Sequence, residues 1–87
     1  MELILTDTAS IDFDYWRKSG NVKAKRKIEN LLQEIKEHPC SGTGHPEPLR
    51  ENLSGMYSRH ITKKDRIVYE IVENNDVVVI HSMRGHY

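Results

Sequence analysis

Between His38 and Pro48 the chain reads HPCSGTGHPEP, three prolines and two glycines in eleven residues. Each proline locks φ at about −65° and removes a backbone donor, and each glycine admits conformations that other residues avoid. Neither a continuous helix nor a central strand survives that density, so the segment is a loop. It divides the chain into a helical part before it and a strand-rich part after it.

Ahead of the loop, ELILT (2–6) is a short apolar, β-branched run and reads as a first strand. Thr6, Asp7 and Thr8 offer N-cap side chains for a helix near 8–18, where Ala9, Phe13 and Trp16 recur at helical spacing. Gly20 ends that helix, because glycine tolerates the left-handed conformation beyond a helix terminus. Asn21 caps a second helix reaching about Glu37, on which Ile28, Leu31, Leu32 and Ile35 make one apolar stripe. Lys23, Lys25, Arg26 and Lys27 fall largely elsewhere on its surface, and Pro39 stops it.

Behind the loop, strands are expected near 49–53, 57–62, 66–73 and 76–82. RIVYEIV and DVVVIHSM are joined by ENND, whose Asn74 and Asn75 suit a tight hairpin turn. Val77 to Ile80 is apolar on both faces, which places that strand inside the sheet. Strand, helix, helix and then an antiparallel meander give an α+β class: two N-terminal helices on a twisted, mainly antiparallel sheet. Residues 1–87 are expected to form a single domain. A chain of this size buries only about 60–65% of its unfolded surface, so any site must be a surface groove.

Thirteen basic and thirteen acidic residues balance to a formal charge of zero, but unevenly along the chain. Residues 1–20 carry four acids against two bases, and 67–87 carry three acids against Arg84 alone. The excess of base lies in VKAKRK (22–27) and between Arg50 and Arg66. Zero net charge argues against indiscriminate coating of nucleic acid, yet local fields still steer a polyanion. Cys40, the one cysteine, excludes an internal disulfide framework and fits a reducing compartment. No apolar run approaches the ~18 residues of a membrane span, and the N-terminus lacks a basic region ahead of its apolar run. A cytoplasmic location without a membrane partner is expected.

His38, Cys40 and His45 have the spacing H-x-C-x4-H, but no fourth ligand is evident, and no metal or other cofactor is expected. Cys40 as a nucleophile with His38 or His45 is a weaker reading still. Glu47 is more informative, because its two proline neighbours stiffen the backbone that carries a charged group. Arg50, Arg59, His60 and Arg66 follow, and projecting into one groove they would cradle phosphate. The chain then ends on His86 and Tyr87. Metal-free RNA cleavage needs a base for the 2′-hydroxyl, cations for the phosphorane-like transition state, and an acid for the departing 5′-oxygen. Glu47, Arg66 and His86 are of the right kinds, and Tyr87 offers a ring for stacking or a hydroxyl for phosphate. A terminal α-carboxylate beside His86 would favour its protonated form.

GHPEPLRENLSGMYSRHITKKDRIVYEI (44–71), the YW pair at 15–16 and the final HY resemble the YoeB/Txe family of the RelE/ParE superfamily of toxin–antitoxin modules. The resemblance spans the whole chain. It implies the RelE/YoeB-like microbial RNase fold, and a metal-independent, ribosome-dependent endoribonuclease that cuts mRNA in the ribosomal A site. Attack by the 2′-hydroxyl would leave a cyclic phosphate, and a cognate antitoxin would neutralise the toxin. The family's catalytic glutamate falls on Glu47 and its catalytic arginine on Arg66, with its terminal histidine and tyrosine on His86 and Tyr87. Substrate contacts fall on Arg50, on Arg59 as the first arginine of the family's SRR, and on His60 as the second. Homodimers are known in the family, and the residues here leave self-association open.

Two departures stand out. His60 replaces an arginine, so one cation of the cradle becomes titratable and activity should vary with pH near neutrality. Gly85 adds backbone freedom before the final pair, so the tail is expected to order only with substrate or antitoxin. The alternative reading is a non-catalytic member of the same fold acting by protein binding, as the gyrase-poisoning branch does. The glutamate–arginine–histidine–tyrosine set would be idle in such a protein. A degenerate toxin that keeps only antitoxin binding or self-association is a third reading.

Overall fold

The computed structural model describes residues 1–44, 46–48, 55–72, 74 and 76–85. The elements run β1 (Glu2–Leu5), α1 (Asp7–Lys18), α2 (Val22–Glu37), β2 (Glu47–Pro48), β3 (Met56–His60), β4 (Arg66–Val72) and β5 (Val77–Ser82). Both helices start where capping chemistry puts them. The Thr6 hydroxyl accepts from the Ala9 amide at 3.1 Å, and the Asn21 side chain accepts from the Ala24 amide at 3.0 Å. Each cap satisfies a donor that the first turn leaves without a partner, contributing about 1 kcal/mol. Gly20, at φ 79°, takes the left-handed conformation between the helices.

The five strands form one sheet in the order β1-β5-β4-β3-β2. β2 to β5 pair antiparallel, and β1 lies parallel to β5, from Glu2 opposite Val77 to Leu5 opposite Ile80. The sheet is therefore mixed, and β5 is flanked on both sides, as its two apolar faces require. The helices cover one face. Ile28, Leu31 and Ile35 of α2 meet Ile67, Tyr69, Val78 and Ile80 in a continuous core that also takes in Ala9 and Trp16 of α1. Each large side chain buried there contributes about 1.5–3 kcal/mol.

Leu32, expected in the buried stripe, is only partly covered and packs on the edge of that core. The strand expected over 49–53 lies outside the described residues. The pairing immediately before it is β2, with Glu47 opposite Ser58 and Pro48 opposite Tyr57. Proline is tolerated there because β2 is an edge strand whose outer side needs no ladder donor. In the hairpin between β4 and β5, Asn75 is outside the described residues, and Asp76 takes a positive φ of 53°. Among the described residues, no helix is long and apolar enough to cross a membrane.

Candidate active site

Strand alternation sorts the candidate residues onto two sides of the sheet. Glu47 pairs with Ser58 and His60 pairs with Arg66, so these four share the side away from the helices. Arg59 pairs with Ile67 on the helix side. On the far side, Arg66 Nη1 lies 3.7 Å from Glu47 Oε2 and 3.4 Å from Ser58 Oγ. The first distance is an ion pair without a hydrogen bond. The Glu47 side chain is 56% exposed and that of Arg66 is 26% exposed. A pair this open to water contributes at most about 1 kcal/mol to stability. The fold gains little from holding it, and both groups remain reachable from solvent.

The loop between α2 and β2 is what carries Glu47, and a buried arginine holds that loop. Arg59 is 0% exposed. Its Nη2 donates to the carbonyls of His38 (2.6 Å) and Ser41 (2.7 Å), its Nη1 to that of Thr43 (3.4 Å), and its Nε to the Tyr69 hydroxyl (3.0 Å). Glu34 Oε1 lies 3.9 Å from Nη1 and accepts the Thr43 amide at 2.9 Å. That bond, with Arg59 helping, holds the Glu34 carboxyl below its ordinary pKa. Tyr69 donates in turn to the Pro39 carbonyl at 2.6 Å, and burial pushes its hydroxyl above the ordinary pKa. The loop can come this close because two positions lack a Cβ. At Gly42 (φ 117°) one would sit 2.4 Å from Glu34 Oε1, and at Gly44 (φ 85°) 3.1 Å from the His60 carbonyl oxygen. The Gly44 carbonyl then accepts the His60 amide at 2.8 Å, which leads the chain onto the edge of β3 as β2.

The expectation that Arg59 contributes to a phosphate cradle is thereby corrected. Its guanidinium is saturated by the loop and lies on the opposite side of the sheet from Arg66. A buried cation needs such a set of acceptors, and a substrate phosphate cannot replace them without unmaking the loop.

At the other edge of the site, the chain leaving β5 is tied down at Met83, Arg84 and Gly85. The register shift at Val68/Tyr69 leaves His81 as an extra residue in β5, a bulge that bends the strand. The Met83 amide then donates to Asp12 Oδ2 at 2.9 Å, and its carbonyl accepts Trp16 Nε1 at 2.8 Å. The Arg84 guanidinium sits 3.6 Å over the Tyr15 ring. The Gly85 amide donates to Asp65 Oδ1 at 2.8 Å, and its carbonyl accepts the Arg66 amide at 3.2 Å. Asp65 is itself fixed, because its Oδ2 accepts from the Thr62 hydroxyl at 3.0 Å and its amide donates to the same hydroxyl at 3.0 Å. The freedom of Gly85 is spent on a fixed left-handed turn at φ 80°. The expectation about ordering of the final pair falls on His86 and Tyr87, which lie outside the described residues. So do Arg50 and His45. Among the described residues, no three of His, Cys, Asp and Glu converge where they could hold a metal ion.

Of the residues that the sequence singles out, the strand register puts Glu47, His60 and Arg66 on one side of the sheet and Arg59 on the other. Sequence reasoning also misses Ser58, and with it Asp12 and Asp65, whose backbone partners are remote in sequence. Asp65 had a local sign, since Thr62-x-x-Asp65 is a self-bonded turn of the kind that hydroxyl and carboxylate side chains make.

Comparison with known proteins agrees in sequence and in shape. The family described as "YoeB-like toxin of bacterial type II toxin-antitoxin system" matches residues 5–87. Toxin YoeB of Escherichia coli K12 is 37% identical over 87 residues, covering the whole of both chains. The solved YoeB/ParE toxin from Agrobacterium tumefaciens superposes with a TM-score of 0.90 at 31% identity, again over the whole of both. A Staphylococcus aureus YoeB, solved in complex with YefM, gives 0.82 at 33% identity over 100% of this chain and 98% of that one. The same staphylococcal toxin, solved as a dimer, gives 0.85 with the same identity and coverage.

Proposed function

The chain belongs to the YoeB-like toxins of bacterial type II toxin–antitoxin systems, and we propose that it inhibits translation as a metal-independent, ribosome-dependent endoribonuclease (an mRNA interferase) cutting mRNA in the A site. One observation carries this reading: the partly exposed carboxylate of Glu47 and guanidinium of Arg66, 3.7 Å apart, on a loop–strand frame that does not need them for stability. Glu47 takes the proton of the 2′-hydroxyl, whose oxygen attacks the neighbouring phosphorus. Arg66 opposes the charge that grows on the non-bridging oxygens, where a preorganised cation is most effective. His86 gives a proton to the 5′-oxygen as its bond to phosphorus breaks, leaving a 2′,3′-cyclic phosphate and a 5′-hydroxyl. Tyr87 stacks on a base or meets the phosphate, and Arg50 and His60 supply further positive charge. The tether at Gly85 supports this assignment, since His86 follows one peptide bond after a carbonyl held by Arg66.

The staphylococcal complex with YefM supports a protein antitoxin as the partner that neutralises this chain, and the staphylococcal dimer supports self-association. An acidic antitoxin segment meeting Arg66 and its neighbours would cover the site. The place of action would be the cytoplasm, on the ribosome.

Primer extension on a defined mRNA, with and without programmed ribosomes, tests the reading with wild type beside Glu47→Ala. Cleavage within the A-site codon only when ribosomes are present, lost in the variant, is the expected result. A protein that binds its antitoxin but cuts under neither condition would instead be a non-catalytic member of the fold.

A further inference from the structure

Ser58 is 1% exposed although it lies on the side of the sheet away from the helices, on the strand between those that carry Glu47 and Arg66. It stands directly opposite Glu47 of β2. The register partner of Arg66 is His60, two residues further along β3. The Arg66 side chain nevertheless leans along its own strand, a diagonal reach open to long side chains on a sheet, and its Nη1 comes to 3.4 Å from Ser58 Oγ. A buried hydroxyl needs a partner, and among the described residues this is the hydrogen bond that the Ser58 side chain makes.

The same nitrogen lies 3.7 Å from Glu47 Oε2. A carboxylate and a guanidinium that are free to meet close to about 2.7–2.9 Å, often through two parallel bonds. Joined in that way, the carboxylate would have spent the lone pairs that take a proton, and the guanidinium the donors that meet a phosphate. Here Nη1 is divided between a hydroxyl and a carboxylate, and the hydroxyl is the nearer. It is also the better anchored, being buried on a strand paired on both sides, whereas Glu47 is 56% exposed on the edge strand.

We propose that Ser58 is a positioning residue for the cleavage: its hydroxyl draws the Arg66 guanidinium over β3 and holds it beside Glu47 without letting the two join. The proposal rests on the endoribonuclease reading above and adds to it the group that keeps base and cation apart. In this role Ser58 touches no substrate, because its hydroxyl is covered.

Single-turnover cleavage on programmed ribosomes tests it with wild type, Ser58→Ala, Ser58→Thr and Ser58→Val, each shown by thermal melting to be folded. Threonine and valine are both β-branched, so they add the same bulk beneath Arg66 and differ in the hydroxyl. Valine should cut about 10- to 100-fold more slowly than threonine, and alanine should fall with valine, because a misplacement of about 1 Å costs about 100-fold. The ribosome concentration giving half the maximal rate should stay that of wild type in all three variants.

The pH profile separates positioning from mere support. Glu47 shares its side of the sheet with His60 of β3 and with Arg66 and Glu70 of β4, and of these Arg66 is the one at ion-pair distance. Without the hydroxyl, Arg66 closes on Glu47, and a carboxylate so paired stays ionised to lower pH. The acid limb of the rate should therefore move to lower pH in the alanine and valine variants and stay in place with threonine. Alanine at the wild-type rate, or valine no slower than threonine, with wild type still cutting on ribosomes, would overturn the proposal and leave the enzyme reading intact. A slower rate with an unmoved acid limb would make Ser58 a structural residue and overturn it too. A wild type that does not cut on ribosomes would remove the functional reading itself, and the proposal with it.

Discussion

Arg59 and Arg66 sit on neighbouring strands, paired within one residue of each other, and serve opposite ends. Arg59 is enclosed by carbonyls, a tyrosine hydroxyl and a carboxylate, all of its own chain. Arg66 has one distant carboxylate and one hydroxyl and keeps a quarter of its side chain in water. The same functional group is structural where its donors are exhausted and open to a ligand where they are left over. The side of the sheet decides which, and the two sides cooperate, because Arg59 fixes the loop that presents Glu47 to Arg66.

The sharpest way to break this contrast is to remove each arginine in turn and read stability apart from cleavage. Arg59→Ala should lose about 3–5 kcal/mol in urea unfolding, because a fully buried side chain leaves a void and the Tyr69 hydroxyl, three part-buried carbonyls and the partly exposed Glu34 lose their partner together. Arg59→Lys should recover little, as one ammonium cannot reach the same set of acceptors. Arg66→Ala should cost about 3–4 kcal/mol of transition-state stabilisation in single-turnover cleavage on ribosomes. Its unfolding free energy should stay within about 1 kcal/mol of wild type. Equal stability losses in the two alanine variants would dissolve the distinction.

The tether allows a smaller test. Trp16→Phe deletes the donor to the Met83 carbonyl while keeping a ring in the core, and should cost about 1 kcal/mol of stability. Cleavage measured well below its melting point should also fall, and an unchanged rate would mean that the tether does not serve the site. The last expected effect is the response of the Arg59 side to acid. The carboxyl of Glu34 titrates below its ordinary value in the folded protein. Its contribution is therefore fully present above the ordinary carboxylate range and is lost as pH falls through the lowered value. The Thr43 amide, followed by NMR, should lose protection over that window in wild type. In Glu34→Gln the transition should be absent.

Much of the fold was legible because its signals are local. The Thr6 and Asn21 caps, the stripe of α2 and the alternation in RIVYEIV each lie within a few residues. The side of the sheet on which Arg59 falls was harder. In β3, Tyr57 and Arg59 alternate with Met56, Ser58 and His60, and neither set is clearly apolar, so the strand does not declare its own inner face. β4 does, with Ile67, Tyr69 and Ile71 set against Arg66 and Glu70, and only the register between the two strands carries that information to Arg59. Glu47, His60 and Arg66 could be named from the chain, but the roles of Asp12 and Asp65 could not. Their partners lie 71 and 20 residues away, and no local pattern encodes a bond to a backbone that distant.

The parallel pairing of β1 with β5 has a consequence for how the protein comes into being. Residue 2 waits for residue 77, so the first strand made must remain without its neighbour while both helices and the rest of the sheet are synthesised. Contacts of that sequence separation slow folding and leave an unpaired strand edge exposed in the meantime. The bonds from Asp12 and Trp16 to Met83 add the same dependence. A fragment that ends before β5 lacks the partner of β1, the seat of α1 and the approach to the site together. Synthesis through β5 is therefore a condition of the fold itself, and a chain that stops short of it is expected to be inert.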